Sequence, residues 1–234
     1  MKGRKVFITG GSRGIGEALV HKFAAAGACV TYTYVSSTSE AAIITAKTGA
    51  KALQVDSADR DATIAAIAAE GPIDILIANA GIAVLGDPLT LDPDAIDRMI
   101  DINIRGSYFA AVEAARTMPD NGRILVIGAT GGDHMPFPGA AAYAMTKAAL
   151  QGMVRGLARD LGARGITVNA LQLGPVDTAM NPANGPVSDM VKGILAIPRF
   201  IRPDEVADYA LFLASPAAAM ITGSLQPMDA GFLA

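Results

Sequence analysis

Val6-Phe7-Ile8-Thr9-Gly10-Gly11-Ser12-Arg13-Gly14-Ile15-Gly16 is the stretch on which the fold turns. The apolar run from Val6 to Thr9 predicts a buried strand, and the pattern from Ile15 to Ala26, closed by Gly27, predicts a helix. Between them the glycines are spaced Gly-x-x-x-Gly-x-Gly. A glycine-rich turn that follows a strand and opens a helix is the setting of a dinucleotide-phosphate site. Gly10 permits the tight turn, Gly14 lets the backbone approach a pyrophosphate, and Gly16 allows the helix to pack closely on the sheet. The amides at the helix start, around Ser12, Arg13 and Ile15, lack intrahelical acceptors and present the positive end of the helix dipole to an anion. Such turns also occur as plain connections, so support has to come from the rest of the chain.

Outward from this unit the same alternation repeats. Cys29 to Tyr34 reads as a second strand, followed by a polar turn at Ser36-Ser37-Thr38-Ser39. A helix near Glu40 to Lys47 leads to a strand at Lys51 to Val55, and a helix from Asp59 to Ala69 leads to one at Ile73 to Ala78. A long helix opens at Asp92-Pro93, then come a strand at Ile124 to Ile127, a helix carrying Tyr143, and a strand at Ile166 to Leu171. Strands joined by helices of about 10 residues or more require right-handed crossovers. The predicted class is therefore doubly wound α/β, a parallel sheet with helices on both faces.

Composition narrows the function. The chain has 234 residues, 51% of them hydrophobic, which suits one domain with a large core. A net charge of -3 with singly scattered Lys and Arg argues against a nucleic-acid polymer or an anionic membrane as partner. Cys29 is the only cysteine, so no intramolecular disulfide forms, in keeping with a cytoplasmic protein. Met1 to Arg4 leads straight into the first strand with no signal-like apolar region, and no run reaches membrane-spanning length. His21 and His134 are the only histidines and lack clustered carboxylates, so no metal site is expected.

The second informative stretch runs from Gly128 to Lys147 and ends in Tyr143-x-x-x-Lys147. Helical geometry from Ala140 onward puts this phenol and ammonium on one face. An adjacent cation favours the ionised phenol, so Lys147 is expected to lower the Tyr143 pKa from its ordinary ~10. Tyrosine and lysine fall four apart by chance in many helices, and only the company they keep distinguishes a site.

That company resembles the short-chain dehydrogenase/reductase family over essentially the whole chain. The resemblance rests on the Gly10 to Gly16 turn, Asn79-Ala80-Gly81, Asn103-Ile104-Arg105-Gly106, Tyr143-x-x-x-Lys147, and Gly174-Pro175-Val176-Asp177-Thr178, in this order. It implies a three-layer Rossmann sheet of seven parallel strands and hydride transfer between nicotinamide and a carbonyl or alcohol. It also implies roles for residues. Tyr143 is the general acid/base, Lys147 lowers its pKa and binds the nicotinamide ribose, and Asn103 holds a water that relays protons from the lysine. Asn79, Ala80 and Gly81, with Gly174, Val176 and Thr178, line the cofactor, and Asp56-Ser57 meet the adenine edge. The family's carbonyl-polarising serine lies 13 residues before the tyrosine, where this chain has Thr130, with no serine between Ser107 and Ser188. Threonine keeps the hydroxyl but adds a methyl that restricts χ1, so its competence depends on the rotamer. His134 has no role in the family's pattern.

Cofactor choice is set about 20 residues past the glycines, where NAD enzymes carry an acid for the ribose 2′-hydroxyl. This chain has Tyr34, with Ser36 beyond it and Arg13 in the turn as partners for a 2′-phosphate, so NADP(H) is expected. Residues 179–202 are rich in Pro, Met, Asn and Gly and read as a lid, with Met180, Met190, Ile194 and Phe137 suggesting an apolar pocket. Gly10 to Gly16, Asp56 to Ala62, Gly156 to Asn169 and Asn181 to Pro186 resemble more narrowly a branch of the family that binds cyclic-di-GMP. That implies a regulatory alternative in which Lys192, Arg199 and Arg202 meet a dianionic dinucleotide. The small-residue helices at 93 to 117 and 140 to 163 suit close packing between subunits of a dimer or homotetramer, as they suit internal packing.

Overall fold

The computed structural model describes residues 1–234. Seven strands, β1 (Lys5–Ile8), β2 (Cys29–Tyr34), β3 (Lys51–Gln54), β4 (Ile75–Ala78), β5 (Arg123–Ala129), β6 (Thr167–Leu173) and β7 (Leu225–Met228), form one sheet in the order β3-β2-β1-β4-β5-β6-β7. Every pairing is parallel. β4, at the centre, is apolar throughout because both its faces are covered. Ile75, Leu76 and Ile77 of β4 are fully enclosed, each stabilising the fold by ~1.5–3 kcal/mol.

On one face α1 (Gly14–Ala25), α2 (Thr38–Thr48) and α8 (Pro203–Leu213) bury Leu19, Phe23, Ile44 and Val206 against Ile8, Ile77 and Leu125. On the other, α3 (Arg60–Glu70), α5 (Ser107–Thr117) and α6 (Ala141–Leu161) bury Ile67, Ala114 and Val154 against Leu76, Val126 and Val168. Local chemistry fixes the starts: Asp59 caps α3 by accepting from the Ala62 amide at 2.9 Å, and α4 (Pro93–Ile100) has Asp92 as cap with proline in its first turn.

The expected elements are present, with three differences. The long helix from Asp92-Pro93 is α4 and α5 joined by a π-helical turn, Asp101–Gly106. The residues between 179 and 202 contain a short helix, α7 (Ser188–Gly193), whose Val191 packs with Leu195, Phe200, Phe137 and Phe232 in a small core of its own. The seventh strand falls at Leu225–Met228, a range that no sequence pattern had marked. No helix is long and apolar enough to cross a membrane.

The chain runs outward from β1 to β2 and β3 and then crosses back to β4 on the other side of β1, so the winding reverses there, and the loops after β1, β4, β5 and β6 rim one crevice at the carboxyl edge.

Candidate active site

The turn after β1 is built by hydroxyls as much as by glycines. Thr33 Oγ1 accepts from the Gly10 amide at 3.0 Å, and the Gly11 amide donates to the Thr33 carbonyl at 2.8 Å, which pins the turn to β2. Thr9 Oγ1 accepts from the amides of Asn79 and Ala80, each at 3.0 Å, and Asn79 Nδ2 donates to the Thr9 and Gly10 carbonyls at 3.0 and 2.8 Å. Asn79 thus ties the β4 loop to the β1 turn, and both donors of its part-buried side-chain amide are satisfied. Thr9 and Thr33 did not stand out in the sequence. For Thr9 the signal was a buried hydroxyl just after an apolar strand; Thr33, in a strand rich in Thr and Tyr, had none.

Gly16 is required by contact: a Cβ there would lie 2.0 Å from the Gly10 carbonyl oxygen and 2.8 Å from Asn79 Nδ2. Gly14 has φ +56°, a left-handed conformation that side chains rarely adopt, and faces the Thr178 methyl, 3.3 Å from where its Cβ would be. The β6 loop therefore meets the glycine turn. The amides from Ser12 to Gly16 have no acceptor within the chain, and Arg13, at the cap of α1, makes no side-chain cap bond. Unpaired amides at a helix start, beside glycines that leave the backbone bare, fit a pyrophosphate. Arg13 is exposed without an ion-pair partner, Tyr34 is half-buried at the end of β2, and Ser36 is exposed just beyond it.

Tyr143 and Lys147 share one face of α6, with Lys147 Nζ 5.8 Å from the Tyr143 ring centroid. The amine is buried and donates to the Ile127 carbonyl of β5 at 3.0 Å. Asn103 lies within the π-helical turn, where its Oδ1 accepts from the Ile82 amide and its Nδ2 donates to the Ile82 carbonyl, both at 2.9 Å. Its Nδ2 also donates to Thr146 Oγ1 at 3.0 Å, and Thr146 donates in turn to the Tyr143 carbonyl at 2.8 Å. Asn103 Oδ1 and Lys147 Nζ flank Gly81, at 3.3 and 3.7 Å from where a Cβ would be. The structure thus brings Asn79 to Gly81, Asn103, Tyr143 and Lys147 together at the carboxyl ends of β4 and β5, with Thr146 as a member that the sequence did not reveal. π-turns often mark functional sites, and here the wider turn accommodates the asparagine.

One expectation is corrected, and Thr130 has a partner that its spacing does not show. Lys147 does not lower the phenol's pKa: burial pushes Tyr143 up to about 12 and Lys147 down to about 8. Taking the lysine and much of the half-buried phenol out of water disfavours both charges, and the amine's hydrogen bond goes to the Ile127 carbonyl. Thr130 lies in the 3-10 turn Thr130–Gly132 after β5, 2% exposed, and its hydroxyl donates to the Leu173 carbonyl of β6 at 3.2 Å. The hydroxyl proton is directed at the backbone of the neighbouring strand.

Asp56 accepts from Arg98 Nη2 at 2.7 Å and from the Ala58 amide at 3.0 Å, while Ser57 is buried beside it. Gly174 passes under Asp229, whose Cα would lie 2.7 Å from a Cβ there, and Val176 bridges to Ile201. The cations expected to meet a dinucleotide are already paired: Lys192 with Asp189 at 3.6 Å, Arg199 with Glu205 at 2.7 Å, and Arg202 with Asp204 at 3.0 Å. The Arg199 hydrogen bond is the main cause that holds the Glu205 carboxyl down to about 2. Met180, Met190 and Ile194 are largely exposed, whereas Phe137 packs on the small core around Val191. His134 is exposed against Phe232, with ring centroids 6.1 Å apart.

Residues 10–233 match the family described as enoyl-(acyl carrier protein) reductase. The chain is 53% identical over 230 residues, 98% of its length and 97% of the relative's, to a cyclic-di-GMP-binding biofilm dispersal mediator protein of Escherichia coli (strain K12). The chain belongs to the short-chain dehydrogenase/reductase family. Among solved members of that family, the crystal structure of BdcA in complex with NADPH superposes with a TM-score of 0.98 at 52% identity, covering 99% of this chain and 95% of that one. A short chain dehydrogenase from Burkholderia cenocepacia J2315 in complex with NADP gives a TM-score of 0.97 at 40% identity, covering 100% and 99%.

Proposed function

We propose that this protein is a cytoplasmic NADPH-dependent oxidoreductase that reduces a carbonyl substrate, with Tyr143 as the proton donor. The observation that carries the reading is the gathering of Lys147 and Asn103 around Gly81, with Tyr143 beside Lys147, on the crevice that the unpaired amides of Ser12 to Gly16 open into. Those amides would hold the pyrophosphate, Arg13 with Ser36 the 2′-phosphate, and Asp56 with Ser57 the adenine edge. NADPH supplies a hydride when bound. A phenol kept neutral to about 12 is protonated at neutral pH, the state a donor to a developing alkoxide requires. Lys147, near 8, can return a proton to the phenol, with Asn103 and Thr146 fixing the helix face on which both stand. Residues 179–202 close over the site as a lid.

A second reading, in which the chain binds NADPH and cyclic-di-GMP as a regulator with little turnover, is favoured by its likeness to the biofilm dispersal mediator and by the engaged Thr130 hydroxyl. The paired state of Lys192, Arg199 and Arg202 speaks against it. NADPH oxidation against a panel of ketones and aldehydes, with calorimetry using cyclic-di-GMP, separates the two. Turnover that falls by ~10²–10⁴ in Tyr143→Phe, with NADPH affinity retained, is the expected result. No turnover with tight cyclic-di-GMP binding would replace the first reading by the second.

A further inference from the structure

We propose that Arg98 is a positioning residue for the adenine end of the cofactor, acting through Asp56 rather than by touching the nucleotide. The inference rests on the NADPH-binding reading above. Asp56 and Ser57 sit in the loop after β3, and a loop that must present a flat edge to a base needs an external anchor. The anchor is the helix running from α4 through the π-helical turn into α5, and it grips the loop at two places and the start of α3 at a third. Arg98 of α4 donates to Asp56 Oδ2 at 2.7 Å. Gly106, at the end of the π-turn, lies so close to the Ser57 carbonyl that a Cβ would come within 2.5 Å of the oxygen. Arg60, at the start of α3, lies over the Phe109 ring of α5, 5.7 Å from its centroid.

The three contacts differ in kind. The glycine approach and the cation on the ring bring loop and helix together without directing the carboxylate. Only Arg98 orients Asp56. With one oxygen taken by the guanidinium and the other by the Ala58 amide, the carboxylate is fixed, and the backbone from Asp56 to Ala58 is fixed with it. Burial works to raise the Asp56 carboxyl, but the Arg98 and Ala58 hydrogen bonds outweigh it and leave its pKa below the ordinary value. At neutral pH the pair is therefore fully ionic.

The same helix carries Asn103, five residues after Arg98, so one rigid element sets both the adenine loop and the Asn103 contact to Ile82 and Thr146. Arg98 has a half-exposed side chain and no other ionic partner, so its removal is compatible with folding.

The test is the dissociation constant, by calorimetry, of NADPH, 2′,5′-ADP and reduced nicotinamide mononucleotide for the wild type, Arg98→Ala, Arg98→Lys, Asp56→Asn and the double variant Arg98→Ala/Asp56→Asn. Arg98→Ala should weaken NADPH and 2′,5′-ADP by the same factor, roughly three- to tenfold for a partly exposed charge-assisted pair, and leave the mononucleotide unchanged. Arg98→Lys should recover part of the loss. The double variant should bind no worse than Asp56→Asn, because Arg98 acts through Asp56. Unchanged NADPH affinity in Arg98→Ala, or an equal further loss in the Asp56→Asn background, overturns this role while leaving NADPH binding in place. Failure of the wild-type chain to bind NADPH overturns both.

Discussion

Lys147 should make the protein's stability rise with pH in a way that its removal abolishes. Burial depresses the folded-state pKa from the ordinary 10.5 to about 8, because no carboxylate compensates the enclosed amine and its one hydrogen bond goes to a backbone carbonyl. Between these values the unfolded chain holds the proton and the folded chain does not, so unfolding takes up a proton and stability increases with pH. The contribution is fully present above 10.5 and is lost as pH falls through about 8. At ~1.4 kcal/mol per pH unit the whole span amounts to roughly 3–4 kcal/mol, of which about 2 kcal/mol emerges between about pH 7 and about pH 9.5. Urea unfolding of the wild type and Lys147→Met at several pH values reads it directly, since other groups titrate alike in both chains and cancel in the difference. The wild type should gain about 2 kcal/mol on the variant over that range. A flat difference would refute the claim that burial governs this amine, and would restore the expectation of a lysine with an ordinary pKa beside the phenol.

Three further outcomes follow from the geometry. Thr130→Ala should lower turnover less than tenfold, well short of the ~10²–10³ cost of losing an oxyanion donor, and Thr130→Ser should raise it; a hundredfold loss in the alanine variant would put the hydroxyl on the substrate after all. Gly16→Ala should lose at least tenfold in NADPH affinity and ~1–3 kcal/mol of stability, seen as a melting temperature lower by about 2–4 °C per kcal/mol, because the new methyl meets the Gly10 carbonyl; an unchanged melting curve would show that the turn yields. Arg13→Ala should weaken NADPH by about tenfold in equilibrium titration and NADH hardly at all, and equal losses for both would remove the 2′-phosphate from its role.

The parts of this molecule that were legible in its sequence are those that chain-local rules decide. Glycine spacing between an apolar run and a helix pattern located the crevice, and the alternation of runs gave the sheet, with boundaries within a few residues of those observed. What could not be read was decided by partners far along the chain. The Thr130 hydroxyl is oriented by the Leu173 carbonyl on the neighbouring strand, which no spacing reveals. The pKa of Tyr143 depends on enclosure by several elements, whereas the Tyr-Lys spacing registers only the nearby charge. The cations between 192 and 202 look free in sequence because Glu205, which holds Arg199 and Arg202, belongs to the next helix. Thr146 and Thr9 were hidden because a buried hydroxyl in a helix or at a strand end looks like any other threonine.

The π-turn from Asp101 to Gly106 has a consequence for chain length. A helix advances ~100° per residue, and the wide turn shifts everything after it relative to an uninterrupted α-helix. Upstream of it Arg98 faces Asp56, and downstream Ala110, Ala111 and Ala114 face the sheet. These two faces are in register only because of the turn. Deleting one residue between 101 and 106 would join α4 and α5 into a regular helix and force a choice between the ion pair and the buried alanines. Many of the exposed positions along this helix can change identity, but the number of residues between Arg98 and Ala110 cannot change, so insertions and deletions there should be far rarer among working variants than substitutions.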